Sequence, residues 1–376
     1  MYILYAPPQK FGRPFNGKPI CEEVRFYNNV AFCPKHYWYK LHLYQGFKDI
    51  TPRVLKKLRE KRTLRNILVV AKGGLGDAIW TMPAIKAIRA RHPQAIIVVA
   101  TEERNAPAFH HFPYANMCIA DYGWNIVNTA YKADEAYDFG GIATIFKKEM
   151  KMDPVDACFK HIGYPLPKTK EDGRPHLVVT IDEGKKAEAM LKRRGVDPEK
   201  HKIIALVMGS STPNRDWPLE YHTELSKMFP AESFRVLWLS DKRIPFQQQM
   251  PDLEELPQVA YLCGETSLRM LMAIIALSDA VVTPVTAPLV IATSLGTPTV
   301  GLFGAFSPKN RAKYYEKFTA LEGSTPCRPC QEHWTECPHG HPAPCMRSIR
   351  PQQVYQAVMD LLKKYPKPYE YKKPLE

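Results

Sequence analysis

The chain has 376 residues, 45% hydrophobic and 24% charged, enough for two domains with separate cores and ordinary for a globular protein. No apolar run nears the roughly 20 residues of a membrane-spanning helix, and the opening MYILYAPPQKFG lacks the charged-then-apolar layout of a signal peptide, so a cytoplasmic location is expected. The nine cysteines then point to free thiols or a metal site rather than a disulfide framework. The formal net charge of +14 calls for a polyanionic partner, whether nucleic acid, an anionic membrane face, or a phosphorylated glycan or nucleotide.

Residues 1–50 are rich in aromatics, Pro and Lys without a helical period, and predict short strands and loops packed on the first domain. Cys21, Cys33 and His36 are metal ligands in principle, but without a paired C-x-x-C they fit packed or exposed side chains as well. Thr51-Pro52 predicts a helix start, Thr as N-cap and Pro at the first position, running to about Leu64. Val54, Leu55 and Leu58 share one face of it, while Lys56, Lys57, Lys61 and Arg62 stand around the other. Those four cations are either a solvated face or a contact for nucleic acid or phospholipid.

The stretch NILVVAKGGLGDAIWTMPAIKAIRARHP, residues 66–93, reads as a buried parallel strand, a glycine loop and a helix. Ile79, Met82, Ile85 and Ile88 recur at helical spacing; Arg89 and Arg91 put positive charge in the last turn, and Pro93 ends the helix. Lys72, Gly73, Gly74 and Gly76 give the loop free backbone that can face an anion. The spacing is neither G-x-G-x-x-G nor a P-loop, so the dinucleotide and NTP fingerprints fail. Asp77 is either an N-terminal cap or a carboxylate aimed into the ligand crevice at the carboxyl edge of a parallel sheet. With a second strand over Ala95–Ala100, the unit is β-α-β.

Alternating strand and helix patterns continue to about Leu177, including AYDFGGIATIFKKE as strand, glycine turn and helix. HLVVTIDEGKKAEAMLKRRGVDPEKH predicts a strand, a charged helix and a break that closes the first lobe. A buried strand from Ile203 to Met208 opens the second lobe and runs into GSSTPNRDWPLEYHTELSKMF. Ser210, Ser211 and Thr212 offer hydroxyls there and Arg215 a cation, the makings of a phosphate turn, although a plain helix cap fits the same residues. Val236–Ser240 is another strand, and Thr266 or Ser267 caps a helix with Leu268, Leu271, Met272 and Ile275 as its core stripe. The segment VVTPVTAPLVIATSLGTPTVGLFGAFSP follows. Cys327, Cys330, Cys337 and Cys345 then stand at C-x2-C-x6-C-x7-C spacing, with His333, His339 and His341 interspersed, which meets the count for a tetrahedral structural zinc. A closing helix over Pro351–Lys364 shows Val354, Ala357, Val358, Leu361 and Leu362 on one side, before an exposed Lys- and Pro-rich tail.

Three of these stretches resemble glycosyltransferase family 9, the ADP-heptose:lipopolysaccharide heptosyltransferases. They are GGLGDAIWTMPAIKAIRARHPQAIIVV, GSSTPNRDWP with YLCGETSLRMLMAIIALSDAVVT, and VVTPVTAPLVIATSLGTPTVGLFGAFSP; together they span about residues 65–360. The resemblance implies an α/β GT-B fold, two Rossmann-like domains facing a cleft, here with an extra N-terminal segment. The implied division is an extension at 1–65, an acceptor lobe at 66–195, a nucleotide-sugar lobe at 196–350 carrying a Cys-rich loop at 325–346, and a helix and tail at 351–376. A similar Cys-rich segment occurs in the second heptosyltransferase of the lipopolysaccharide core, so those cysteines are equally well inherited scaffold with free thiols.

The implied activity is metal-independent, inverting transfer from an ADP- or UDP-sugar to an acceptor hydroxyl. Asp77 is then the general base. Ser210, Ser211, Arg215, Thr286 and Ala287 face the donor phosphates, with Arg215 where the family places a basic residue two before Trp, and Lys72, Gly73, Gly74 and Gly76 form the acceptor-side loop. The family's Asp and His that hold the donor sugar fall on Val285 and Val290, and its Gly on Ala287, so phosphate gripping is kept and sugar gripping is changed. Three acceptor readings follow: lipopolysaccharide or another glycan at the inner face of a membrane, a hydroxymethylated DNA base, or none, in a lapsed nucleotide- and nucleic-acid-binding protein of the same fold.

Overall fold

The structure, a computed structural model, describes residues 2–5, 26–27, 30–33, 48–49, 65–120, 133–140, 152–241, 255–330 and 336–367. Backbone contacts divide the chain into two compact units. One comprises Met1–Gly73, Ile85–Phe109 and Pro113–Gly140; the other comprises Gly74–Ala84, His110–Phe112 and Gly141–Glu376. By these contacts the short helix after the glycine loop, Leu75–Trp80, belongs with the second unit.

In the first unit, β1 (Tyr2–Tyr5), β2 (Phe26–Tyr27), β3 (Val30–Cys33) and β4 (Lys48–Asp49) form an antiparallel sheet in the order β2-β3-β1-β4. A second sheet is wholly parallel, β7-β6-β5-β8, from β5 (Asn66–Ala71), β6 (Ile96–Thr101), β7 (Met117–Ala120) and β8 (Glu135–Asp138). Ile67 to Ala71 and all of β6 are buried, as continuous apolar runs must be when both faces of a parallel strand are covered. The helical pattern after the glycine loop is realised in two pieces, Leu75–Trp80 and Met82–Arg91, joined at Thr81, whose hydroxyl donates to the Ala78 carbonyl at 2.7 Å.

The second unit holds a six-stranded parallel sheet of β9 (Lys202–Val207), β10 (Phe234–Leu239), β11 (Val259–Tyr261), β12 (Ala280–Pro284), β13 (Thr299–Phe303) and β14 (Phe318–Glu322), ordered β11-β10-β9-β12-β13-β14. In the unit's own strand sequence this is the 3-2-1-4-5-6 order of doubly wound dinucleotide-type folds. The helix Pro351–Lys364 lays Val354, Ala357, Val358 and Leu361 into the core formed by Leu206, Val236, Trp238, Phe229 and Met346.

Two local expectations are corrected. HLVVT forms no strand: residues 175–180 lack regular structure, and Thr180 instead caps the helix Ile181–Arg193, accepting from Glu183 N at 3.3 Å while Glu183 accepts from Thr180 N at 2.9 Å. This reciprocal capping box satisfies two of the orphan donors at a helix start. In the helix Leu268–Leu277, capped by Ser267, the buried face includes Arg269 beside Met272 and Ile275, whereas Leu268 and Leu271 are only partly covered. Arg269 is buried because it is paired: it donates to Glu183 Oε1 at 2.7 Å and Oε2 at 2.5 Å, and to the Val178 carbonyl at 2.7 Å. The charged helix Ile181–Arg193 is thereby joined to the second unit's core.

The expected helix at 51–64, with Lys56, Lys57, Lys61 and Arg62, lies outside the described residues, as do the side chains of Cys21, Cys33, His36 and His333 and the tail beyond residue 367. Among the described residues no helix is long and apolar enough to cross a membrane.

Candidate functional site

In open parallel sheets, ligands bind beyond the carboxyl ends of the strands where the strand order reverses. In the six-stranded sheet that point lies between β9 and β12, which end at Val207 and Pro284. The segment Gly209–Arg215 follows the first end and Val285–Ala287 follows the second. Arg215 joins the two: Nη1 donates to the Val285 carbonyl at 2.7 Å, Nε to Thr212 Oγ1 at 2.6 Å and Nη2 to Ser211 Oγ at 2.9 Å. Burial pulls its pKa down to about 10, with Arg311 pushing the same way and Asp216 and Asp77 opposing. A guanidinium held this far from water, repelled by a second one, is prepared for an anion.

The two serines divide. Ser211 is exposed and presents its hydroxyl beside Arg215. Ser210 is committed inward, donating through Oγ to the Thr212 carbonyl at 2.5 Å and to Asp216 Oδ1 at 3.0 Å, with its N–H on the same carboxylate at 2.9 Å. Ser210 therefore shapes the turn and does not offer a free hydroxyl. Trp217 fixes the segment from behind, its Nε1 donating to the Ile349 carbonyl at 2.9 Å. Thr286 is the N-cap of the helix Ala287–Ser294, in extended backbone, with its hydroxyl 3.3 Å from that of Thr283.

The helix Leu75–Trp80 packs against Ala287–Ser294 in the same unit. A Cβ placed on Gly76 would stand 3.5 Å from Val290 Cγ2 and 3.9 Å from Ala287 Cα, so the two helix starts approach closely. Asp77 lies in the first turn and accepts the Gly74 N–H through Oδ2 at 3.0 Å. Burial raises its pKa above the ordinary carboxylate value, while the Gly74 hydrogen bond, Arg311 and Arg215 pull the other way. A carboxylate made more basic by desolvation while two guanidiniums favour its ionised form is suited to take a proton. Of the remaining loop residues, Gly73 has φ +123°, a conformation open to glycine, and its carbonyl accepts from Asn105 Nδ2 at 3.0 Å in the first unit. Lys72 belongs to that unit too, whereas Gly74 and Gly76 belong to the second.

Sequence reasoning missed Arg311, Asp153, Trp80 and Phe306. The Arg311 guanidinium is 5.1 Å from the Phe306 ring centre and 5.5 Å from that of Trp80, and Arg215 approaches Phe306 at 5.9 Å. Within SPKNRAKYY the arginine reads as one basic residue of a surface turn, and nothing in its spacing distinguishes it from Lys309 or Lys313.

The Cys-rich loop is clamped onto the sheet end by Arg328, which donates to the carbonyls of Gly304 at 2.6 Å, Gly323 at 3.2 Å and Phe306 at 2.9 Å. Cys327 and Cys330 are exposed, Cys337 is half-buried and Cys345 is buried, all as free thiols. Burial raises the Cys345 pKa, and the charges of Cys330, Cys337 and Cys327 add to it. Among the described residues, no three His, Cys, Asp or Glu side chains are placed to hold a metal ion.

The sequence profile of glycosyltransferase family 9 (heptosyltransferase) matches residues 152–340. The lipopolysaccharide core heptosyltransferase OpsX of Haemophilus influenzae is 25% identical over 168 residues, 43% of this chain and 45% of that protein, so the match spans less than half of the relative's length. In structure, the chain is similar to the E. coli ADP-heptose lps heptosyltransferase II, with a TM-score of 0.61 at 19% identity over 80% of this chain and 99% of the other. It is also similar to the iron-containing dodecameric glycosyltransferase TibC of enterotoxigenic E. coli, with a TM-score of 0.55 at 13% identity over 80% and 77%.

Proposed function

Because the chain belongs to glycosyltransferase family 9, we propose that it transfers a sugar from a nucleoside-diphosphate sugar to an acceptor hydroxyl with inversion at the anomeric carbon. The observation that carries this reading is the convergence at one strand-order reversal of Arg215, Thr286 and the base-bearing helix of Asp77. Asp77 takes the acceptor proton as the hydroxyl oxygen attacks the anomeric carbon from behind. The bond from that carbon to the diphosphate breaks, and the nucleoside diphosphate departs with the electron pair. Arg215, Ser211 and the start of the helix Ala287–Ser294 receive the growing charge. In this reading the chain's own cations and helix ends do that work and no divalent ion takes part in the transfer.

An ADP-sugar donor and a lipopolysaccharide-core glycan acceptor accord with the names of the relatives. A location at the cytoplasmic face of a membrane goes with that acceptor. Val285 and Val290, both nearly fully buried, stand where the family pattern has polar sugar-holding residues, and we assign the chain a donor sugar other than heptose on that ground. The hydroxymethylated-base acceptor draws on the basic N-terminal extension together with Val285 and Val290, and the cations at 56–62 lie outside the described residues.

The Cys-rich loop is a second, structural reading. Its C-x2-C-x6-C-x7-C spacing meets the count for a structural zinc held by thiolates, which would lock the loop that Arg328 already ties to Gly304 and Phe306.

The test of function is incubation with a panel of ADP- and UDP-sugars and core-glycan acceptors, read by mass spectrometry of the acceptor. Asp77→Asn should bind donor within a few-fold of wild type and lose about 10²- to 10⁴-fold in transfer, the worth of a positioned general base. An Asn variant with wild-type transfer removes Asp77 from the mechanism; wild-type protein that binds donors but turns over none of the panel supports the lapsed binder.

A further inference from the structure

We propose that Arg311, set between the short helix of Asp77 and the helix start at Asp153, is a positioning residue that holds the Asp77 carboxylate as its anion; the proposal rests on the reading of Asp77 as the base. Arg311 is 5% exposed. Its guanidinium lies against two ring faces, Phe306 after β13 and Trp80, and Trp80 is three residues beyond Asp77 on the same short helix. Residues three apart share a helix face, so the ring that supports the guanidinium and the carboxylate that faces it come from one surface. At the other end, the chain carrying Arg311 is stitched to the start of the helix Pro154–His161. Lys313 N donates to Asp153 Oδ2 at 3.2 Å, Lys313 Nζ reaches Asp156 Oδ2 at 2.6 Å, and Asp153 Oδ1 accepts from Val155 N at 3.0 Å.

The charge count gives the arrangement its direction. Asp153 has two backbone donors of its own, whereas one backbone donor, Gly74 N–H, is found for Asp77. A buried carboxylate short of hydrogen bonds stays ionised only beside a cation. Arginine supplies one that does not titrate in the working range. Burial pulls the Arg311 pKa down while the charges of Asp77, Tyr315 and Asp153 act the other way, and Arg311 and Arg215 repel each other. Asp77 faces Arg311 and Arg215, and also the Cys158 thiol of the helix Pro154–His161, which burial keeps protonated. Asp153 has Asp156 as its further charged neighbour. The helix Ala287–Ser294, packed on the Asp77 helix, brings no titratable side chain. Enclosed between rings, Arg311 is not placed like Arg215, whose Nη2 meets the exposed Ser211. Its effect should therefore fall on the base and not on diphosphate affinity.

The test is the pH dependence of kcat/KM together with a carbon-13 titration of the Asp77 carboxyl, identified as the signal that disappears in Asp77→Asn. Arg311→Gln removes a cation beside the base, so the acidic limb and the carboxyl titration should both move to higher pH, with the rate recovering toward wild type on the alkaline side. Asp153→Asn removes the competing anion, so both should move to lower pH. Arg311→Lys should stay near wild type, and ADP affinity should remain within about twofold in all three. Opposed displacements are not what loss of packing produces. Should Arg311→Gln not fold, Asp153→Asn and Arg311→Lys still decide the matter. A limb and titration unmoved by Asp153→Asn, or an ADP affinity that falls with Arg311 as it does with Arg215, overturns the proposal. Displaced carboxyl titrations with full transfer by Asp77→Asn would instead leave the charge coupling standing and remove the base.

Discussion

Replacing Arg215 with alanine separates a functional cation from a structural one. The side chain donates three hydrogen bonds, to Thr212 Oγ1, the Val285 carbonyl and Ser211 Oγ. At a net worth of about 1 kcal/mol each, they argue for a loss of about 3 kcal/mol of stability. Against this stand the cost of holding a guanidinium away from water and its repulsion by Arg311, together strong enough to bring its pKa down to about 10. Both costs vanish with the side chain, so the two sets offset and the folded state should change by no more than about 1 kcal/mol. Binding has no such offset. One charge-assisted contact to a phosphate is worth about 1.5 to 3 kcal/mol, roughly a 10- to 150-fold weaker Kd. Calorimetry with ADP and UDP beside thermal melts reads both quantities, and Arg215→Lys, with the charge but not the fork, should fall between. Unchanged diphosphate affinity would refute the placement of the phosphates at Arg215. A fall in Tm beyond about 4 °C would show that the hydrogen bonds outweigh the burial.

Glu183 governs acid stability in the second unit. Burial alone would raise its pKa, but the Arg269 hydrogen bonds, the Thr180 N–H, the Arg269 charge and the Thr180 hydroxyl together hold it at about 2, below its ordinary 4.5. With the folded value depressed, its contribution is fully present above about pH 4.5 and lost as pH falls toward about 2; Glu183→Gln should destabilise at pH 7 and flatten that acid decline, as read by urea melts at pH 7 and pH 3. If the cysteine loop is a structural zinc site, the purified protein should carry one zinc ion per chain by elemental analysis. Chelation should then lower Tm, and Cys345→Ser should lose the ion; metal-free protein whose four thiols react freely sinks that reading.

What the sequence disclosed and what it hid divide along physical lines. Strands such as Ile67–Ala71 and Val300–Phe303 are legible because a parallel strand covered on both faces must be continuously apolar, and the structure has them at 66–71 and 299–303. The turn after β9 is legible as a turn because small and hydroxyl residues follow a buried strand directly. Arg269 and Arg311 are not: each is an arginine in a helix or turn, and its burial follows from a partner 86 residues away for Arg269 and from rings and carboxylates brought together by the fold for Arg311. HLVVT was misleading for the opposite reason, since a β-branched run promises a strand while Thr180 and Glu183 spend the same residues on a helix cap.

Val290 shows how the departure from the family pattern and the packing are one fact. Its side chain is 1% exposed and faces Gly76 at the start of the Asp77 helix, where a Cβ on that glycine would already be in van der Waals contact. A histidine at this position would need room that the contact with Gly76 has closed, or would have to lift the helix that carries Asp77, and overpacking of that kind costs about 1 to 3 kcal/mol. Valine closes the gap with a dry contact and gives up a polar group that could hold a sugar. The helix bearing Asp77 thus rests on Val290, so under the proposed function a larger polar side chain at residue 290 should alter transfer through the position of Asp77 as well as through the sugar it could hold.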